Sequence, residues 1–319
     1  MLAKLDIHAN PWAFQAHYEV WALVLVLVVS WFYAVRVIGP KAVAPGETIV
    51  TRRQCWYFAA TIALLWIASD WPIHDVGETY LYSAHMLQHM MLSYFLPPLA
   101  VLAMPEWLLR LIIGKGRGYT ALKFMAKPVV AGVLFNLVVM VTHVPTIVNA
   151  SGSSAVLHYS LHFCLVSTAL LMWMPVIGPF KELQMGYPGK MIYLFLQSVV
   201  PTVPAGWLTF AEGVVYKRYD IPVRVWGIGV INDQQMAGAV MKIGGTMFMW
   251  TIIIYMFFKR FTAGFDAEQG LRRINSRAPV SGSSPAPVEV EVDVPILTYE
   301  QVAEVFQRVP AAPEPERSK

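Results

Sequence analysis

Seven apolar stretches, most of them near the ~20 residues that a helix needs to cross a hydrocarbon core, constrain this chain more than anything else in it. They lie at about Tyr18–Ile38, Trp56–Ser69, Tyr80–Met104, Pro128–Val148, Ala155–Ile177, Met191–Ala211 and Gln234–Phe258. The second is the shortest, and its flanks extend it in both directions. Of the 319 residues, 56% are hydrophobic and 14% charged, where soluble chains carry about 25% charged residues. The expected fold is all-α: a polytopic membrane protein in which residues 1–262 form a bundle of about seven transmembrane helices.

Lysine and arginine in the connections set the direction of the bundle. Lys41, Arg52 and Arg53 follow the first span. Arg110, Lys115, Arg117, Lys123 and Lys127 follow the third, Lys181 and Lys190 the fifth, and Lys259, Arg260, Arg272, Arg273 and Arg277 the last. The loops at 70–79 and 143–154 hold neither residue type; only the 212–233 loop, with Lys217, Arg218 and Arg224, runs against the trend. The balance puts the N-terminus outside and the C-terminus in the cytoplasm. The start of the chain lacks the basic region and cleavage site of a removable signal peptide.

Several features narrow the field further. The net charge of +4 is spread without a basic, aromatic-laced patch, so nucleic acid is not an expected partner. Cys55 and Cys164 have no metal or disulfide spacing and read as buried small apolar residues. Pro97-Pro98 in the third span and Pro201 and Pro204 in the sixth should kink or break their helices. Such breaks are tolerated where the freed backbone lines a cavity. Residues 263–319 read as a cytoplasmic tail, flexible over 277–295 for want of large apolar side chains. Within it, a short amphipathic helix near 298–308, with Thr298 and Gln301 as a capping box, would either dock on a cytoplasmic partner or fray.

None of the eight histidines maps to a cytoplasmic connection. His8 and His17 precede or open the first span and read as interfacial residues. His74 sits in an outer loop, His85 and His89 in the outer half of the third span, His143 at the end of the fourth, and His158 and His162 at the start of the fifth. Spacing i, i+4 sets each pair on one helical face, and an ionisable residue within a span is a functional-site hypothesis by default. Two such faces turned together would offer up to four imidazoles. Met86 and Met90 share the same spacing, about 100° around the helix. Thioether beside imidazole favours copper, Cu(I) in particular. Asp70, Asp75 and Glu78 would draw cations in or hold histidine tautomers. Asp233, Gln234 and Gln235 would cap the seventh span or face the histidines. Lys242, about two turns deeper, requires a polar cavity or a carboxylate, with Asp233 and Asp70 the candidates. Two other readings stay open: one histidine from each pair as axial ligands of a haem, or buried imidazoles that only hydrogen-bond neighbouring helices of a scaffold.

The run Asp70-Trp71-Pro72-Ile73-His74, then His85-Met86-Leu87-Gln88-His89-Met90, Pro97-Pro98 and Met104-Pro105 resembles the signature of the Bacillus-type CtaG family. His143-Val144-Pro145, the His158/His162 pair and Asp233-Gln234-Gln235-Met236-Ala237-Gly238 are similar to its later motifs. The likeness covers roughly residues 15–260. It implies seven spans, a bacterial plasma membrane and a role in assembling caa3-type cytochrome c oxidase, a copper- and haem-containing enzyme of the respiratory chain. The chain departs from the family at Met241-Lys242-Ile243-Gly244-Gly245, where members tend to read Met-Trp and then Pro-Gly, and in its tail.

These readings together predict a non-enzymatic membrane assembly factor that holds copper, as Cu(I), and assists its delivery to an oxidase subunit. His85, His89, His158 and His162 would be its ligands with Met86 and Met90. His74, His143, Asp70, Asp75 and Asp233 would guide the ion in or orient the imidazoles.

Overall fold

The structure, a computed structural model, describes residues 10–277. His8 and the predicted helix near 298–308 lie outside the described residues. The chain divides into two compact units, Met1–Phe265 and Asp266–Lys319. The helical bundle belongs to the first.

Every predicted apolar stretch is helical, and no strand occurs among the described residues. In order they are α1 (Tyr18–Ala42), α2 (Arg52–Ser69), a short α3 (Ile73–Thr79), α4 (Tyr82–Ala103), α5 (Glu106–Ile113), α6 (Arg117–Met125), α7 (Pro128–Thr142), α8 (Pro145–Ser151), α9 (Ala155–Ile177), α10 (Tyr187–Val199), α11 (Thr202–Thr209) and α12 (Val230–Arg277). Five segments are long and apolar enough to cross a membrane: α1, α4, α9, the α10–α11 pair and Val230–Phe265. The count rises to six if α6 and α7, bent by 73° at their junction, form one span. This is short of the expected seven because α2 spends its first turn on Arg52, Arg53 and Gln54. That turn is instead the start of a capping box, in which Thr51 Oγ1 accepts from Gln54 N and Gln54 Oε1 accepts from Thr51 N.

The prolines act in two ways. Ahead of Pro97-Pro98, α4 does not break; it widens into a π-turn over Met91–Phe95, which reorganises the carbonyls that the prolines cannot pair. Pro201, by contrast, interrupts the sixth span between α10 and α11, as predicted. The last helix runs past the expected end at Phe258 to Arg277, since the polar stretch contains good helix formers and no proline before Pro279.

α4 sits at the centre of the bundle. Its apolar window is 67% buried, against 11% for α1 at the edge. α9 packs on α7 and on α4, α2 on the second half of α4, and α3 folds back over the start of α4. A Cβ on Gly77 would lie 2.9 Å from the backbone nitrogen of His85, so glycine lets α3 approach α4 this closely. The largest core, around Tyr82, Met86, Phe135, Leu165 and Trp173, fills the space between α4, α7 and α9. Both cysteines are free, and both are exposed on the bundle surface rather than buried as expected. Apolar exposure costs little where the surroundings are lipid.

Candidate metal centre

α3 carries His74, Asp75 and Glu78; α4 carries His85, Gln88 and His89; α9 carries His158 and His162. The i, i+4 pairs do face each other. Ring centroids are 4.4 Å apart within each pair, and across the helices His162 is 4.9 Å from His89 and 6.0 Å from His85. His143, just after α7, lies 6.4 Å from His89, and His74 lies 6.1 Å from His158. His17 completes the row, 4.8 Å from His74. It is tucked in rather than interfacial, because Asp75 Oδ1 holds its Nε2 at 2.9 Å.

Two donor triads emerge. Ligand atoms of His85, His89 and His162 lie within 4.8 Å of one another, and so do those of Glu78, His158 and His162. Three ligands at about 2.1 Å from one ion lie ~3.4–3.6 Å apart, so an ion would draw the more distant side chains in by up to about 1 Å. His162 belongs to both triads. Its Nε2 is buried with no hydrogen-bond partner among the described residues. A small pocket opens between Glu78, His85, His89, His158, His162 and Tyr219.

Glu78 is the residue that the sequence undervalued. It was legible only as one of three acids at a mouth, yet its Oε1 lies 2.8 Å from His85 Nδ1 and its Oε2 3.4 Å from His158 Nδ1. Burial alone would raise its carboxyl, but the histidines around it, His85 first, hold it below the ordinary carboxylate range. Burial lowers His74, with Glu78 opposing. His17 is raised: its own burial works against this, and the hydrogen bonds and charges of Asp75 and Glu19 together outweigh it. The one available signal was the spacing of His74 and Glu78, again i, i+4 on α3.

A returning loop, residues 212–229, clamps this arrangement. Arg218 donates to the Glu78 carbonyl at 2.7 and 3.2 Å and reaches within 3.9 Å of its carboxylate. Tyr219 OH donates to Gly77 O, and Tyr216 OH to His143 O, each at 2.9 Å. Gln234 fixes the loop in turn through Val215 N and both backbone groups of Tyr216. Arg224 is tied to Tyr219 O and Asp220. Two of the three basic residues that ran against the predicted orientation are thus structural ties.

Gly152 on the α8 side leaves room for the Arg218 side chain. A Cβ there would lie 1.3 Å from a guanidinium nitrogen. Gly152→Ala is therefore expected to push Arg218 off the Glu78 carbonyl. Loss of roughly 1 kcal/mol corresponds to about 2–4 °C in the unfolding midpoint. A midpoint and a metal affinity both unmoved in this variant would show that Arg218 does not brace Glu78.

The remaining predicted residues do other work. Asp70 accepts the indole N–H groups of Trp21 at 2.7 Å and Trp66 at 2.6 Å, joining α1 to α2. Asp233 touches no imidazole; it caps α4 from outside that helix, accepting from Tyr82 N at 2.7 Å, Ser83 N at 3.0 Å and the Ser83 hydroxyl. With both carboxylates engaged, Lys242 pairs with neither. It is exposed on α12, turned outward because its neighbour Met241 faces inward. Met86 and Met90 line a second cavity with His143 instead of joining the triads.

A family model described as cytochrome c oxidase caa3 assembly factor (Caa3_CtaG) matches residues 29–263, which include every residue of the two triads. No curated protein and no solved structure matches the chain.

Proposed function

The chain belongs to the caa3-type cytochrome c oxidase assembly factor family, and from that premise we propose that it takes up copper, as Cu(I), at the Glu78–histidine cluster and assists its delivery to an oxidase subunit. The observation that carries this reading is the pair of donor triads sharing His162, whose Nε2 has no protein partner among the described residues. Buried polar groups are normally paired, so a nitrogen left free among ligating groups suits a bound ion. The close, edge-on packing of His89 and His162 supports a single ion rather than a macrocycle slotted between axial ligands.

The reading includes seven crossings of a bacterial plasma membrane, with α2 as the additional span and the N-terminus outside. Lysine and arginine are absent from the loops at 70–79 and 143–154, and in the third loop on that side Arg218 and Arg224 are held by specific bonds. The cluster then faces the outer leaflet. His74, His17 and Asp75 continue the row of polar groups from α3 to the head of α1 and would guide the ion inward.

The test is direct. Full-length protein purified from its membrane should carry copper, and H162A, which breaks both triads, should lose the cluster's share of it together with oxidase activity in the membranes. Unchanged copper and unchanged oxidase would favour a scaffold, and a haem absorption band without copper would overturn the proposal.

A further inference from the structure

α4 also presents a second donor set of softer chemistry. His143 donates its Nδ1–H to Val139 O at 2.6 Å. The ring's other neighbours are Thr142, Met86 and His89, none of them anionic, so the buried imidazole stays neutral and its Nε2 carries only a lone pair. That nitrogen lies 3.4 Å from Met86 Sδ. A thioether has no proton to offer, so two acceptors face each other where both residues are buried, 6% and 1% exposed. No hydrogen bond can join them. A cation that accepts both lone pairs can, and the separation is within reach of one ion. Met90, Met241 and His89 line the same small cavity.

We propose that this second cavity is a distinct site selective for Cu(I), with Met86 and His143 as ligands and Met90 or Met241 completing the set. Thioethers select Cu(I) and have little affinity for hard divalent ions. His89 lines both cavities and passes the ion between them by ligand exchange. The copper stays Cu(I) throughout, so neither an electron nor a proton has to be supplied. The transfer step rests on copper uptake at the Glu78–histidine cluster; the second site does not.

X-ray absorption on the full-length protein loaded anaerobically with Cu(I) alone tests this. Wild type is expected to show sulfur at ~2.3 Å alongside nitrogen. M86L/M241L, a nearly volume-conserving change, should keep nitrogen-ligated copper, lower the sulfur signal and bind Cu(I) about tenfold or more weaker. H162A should retain sulfur-ligated Cu(I). Nitrogen-only copper in wild type, an unaltered sulfur signal in M86L/M241L, or loss of sulfur-ligated copper in a folded H162A would each overturn the second site. Sulfur-ligated copper that survives in wild type without any nitrogen-rich population would instead overturn the uptake cluster alone.

Discussion

His162→Ala is expected to abolish copper binding at the Glu78–histidine cluster, whereas Glu78→Gln or His85→Ala alone each leaves one triad intact. His162 is the member common to His85–His89–His162 and Glu78–His158–His162. Removing an outer partner of a ligand typically costs about 10–100-fold in affinity. Loss of the shared ligand should exceed that, and the two single-triad variants should fall within it. A second readout separates ligation from architecture. The deleted imidazole leaves no hydrogen-bond partner behind at Nε2, so the metal-free variant should be as stable as wild type. A competition titration that ranked H162A with H85A would sink the shared-ligand arrangement.

The largest structural effect is expected from Asp233→Ala. This carboxylate is 2% exposed and accepts two backbone N–H groups and one hydroxyl at the start of α4. Those amides are among the four that a helix leaves unpaired at its N-terminus, where the dipole also favours a negative group. A buried donor left unsatisfied costs about 1–3 kcal/mol, so two of them place the loss at roughly 2–5 kcal/mol. Asp233→Asn keeps one acceptor oxygen and should lose about half as much. The readout is thermal unfolding of the purified chain, followed by copper content. An Asp233→Ala protein as stable as wild type would mean that α4 holds its place without this cap. Because α4 carries His85 and His89, destabilisation and loss of metal should appear together.

The helices were legible because burial in lipid requires long apolar runs, and each predicted run is helical. The four clustered histidines were legible for a related reason: i, i+4 spacing within an apolar run cannot be hidden by folding. What escaped notice depends on backbone that doubles back. Glu78 reaches His85 only because α3 reverses onto α4. Arg218, Tyr216 and Tyr219 come from a connection whose composition resembles any polar loop. Lys242 and the two cysteines were misplaced by one rotational step on a helix, which pattern alone resolves poorly when both lipid and core accept apolar neighbours. The division of the histidine and methionine faces into two cavities was implicit in the 100° between them, but it needed His143 from another helix to become chemistry.

The contact of Arg218 with Glu78 has a consequence for which ions the site admits. The two formal charges cancel, so an arriving cation adds its full charge to an otherwise neutral, poorly solvated region. The self-energy of an ion in such surroundings grows with the square of its charge, and for a monovalent ion the idealised cost of leaving water is already of order 20 kcal/mol before relaxation. A divalent ion faces about four times that electrostatic burden on the same scaling. At the proposed copper site, a fixed guanidinium beside the carboxylate would thus weigh against a divalent ion relative to a monovalent one, leaving the donor atoms to decide among ions of equal charge.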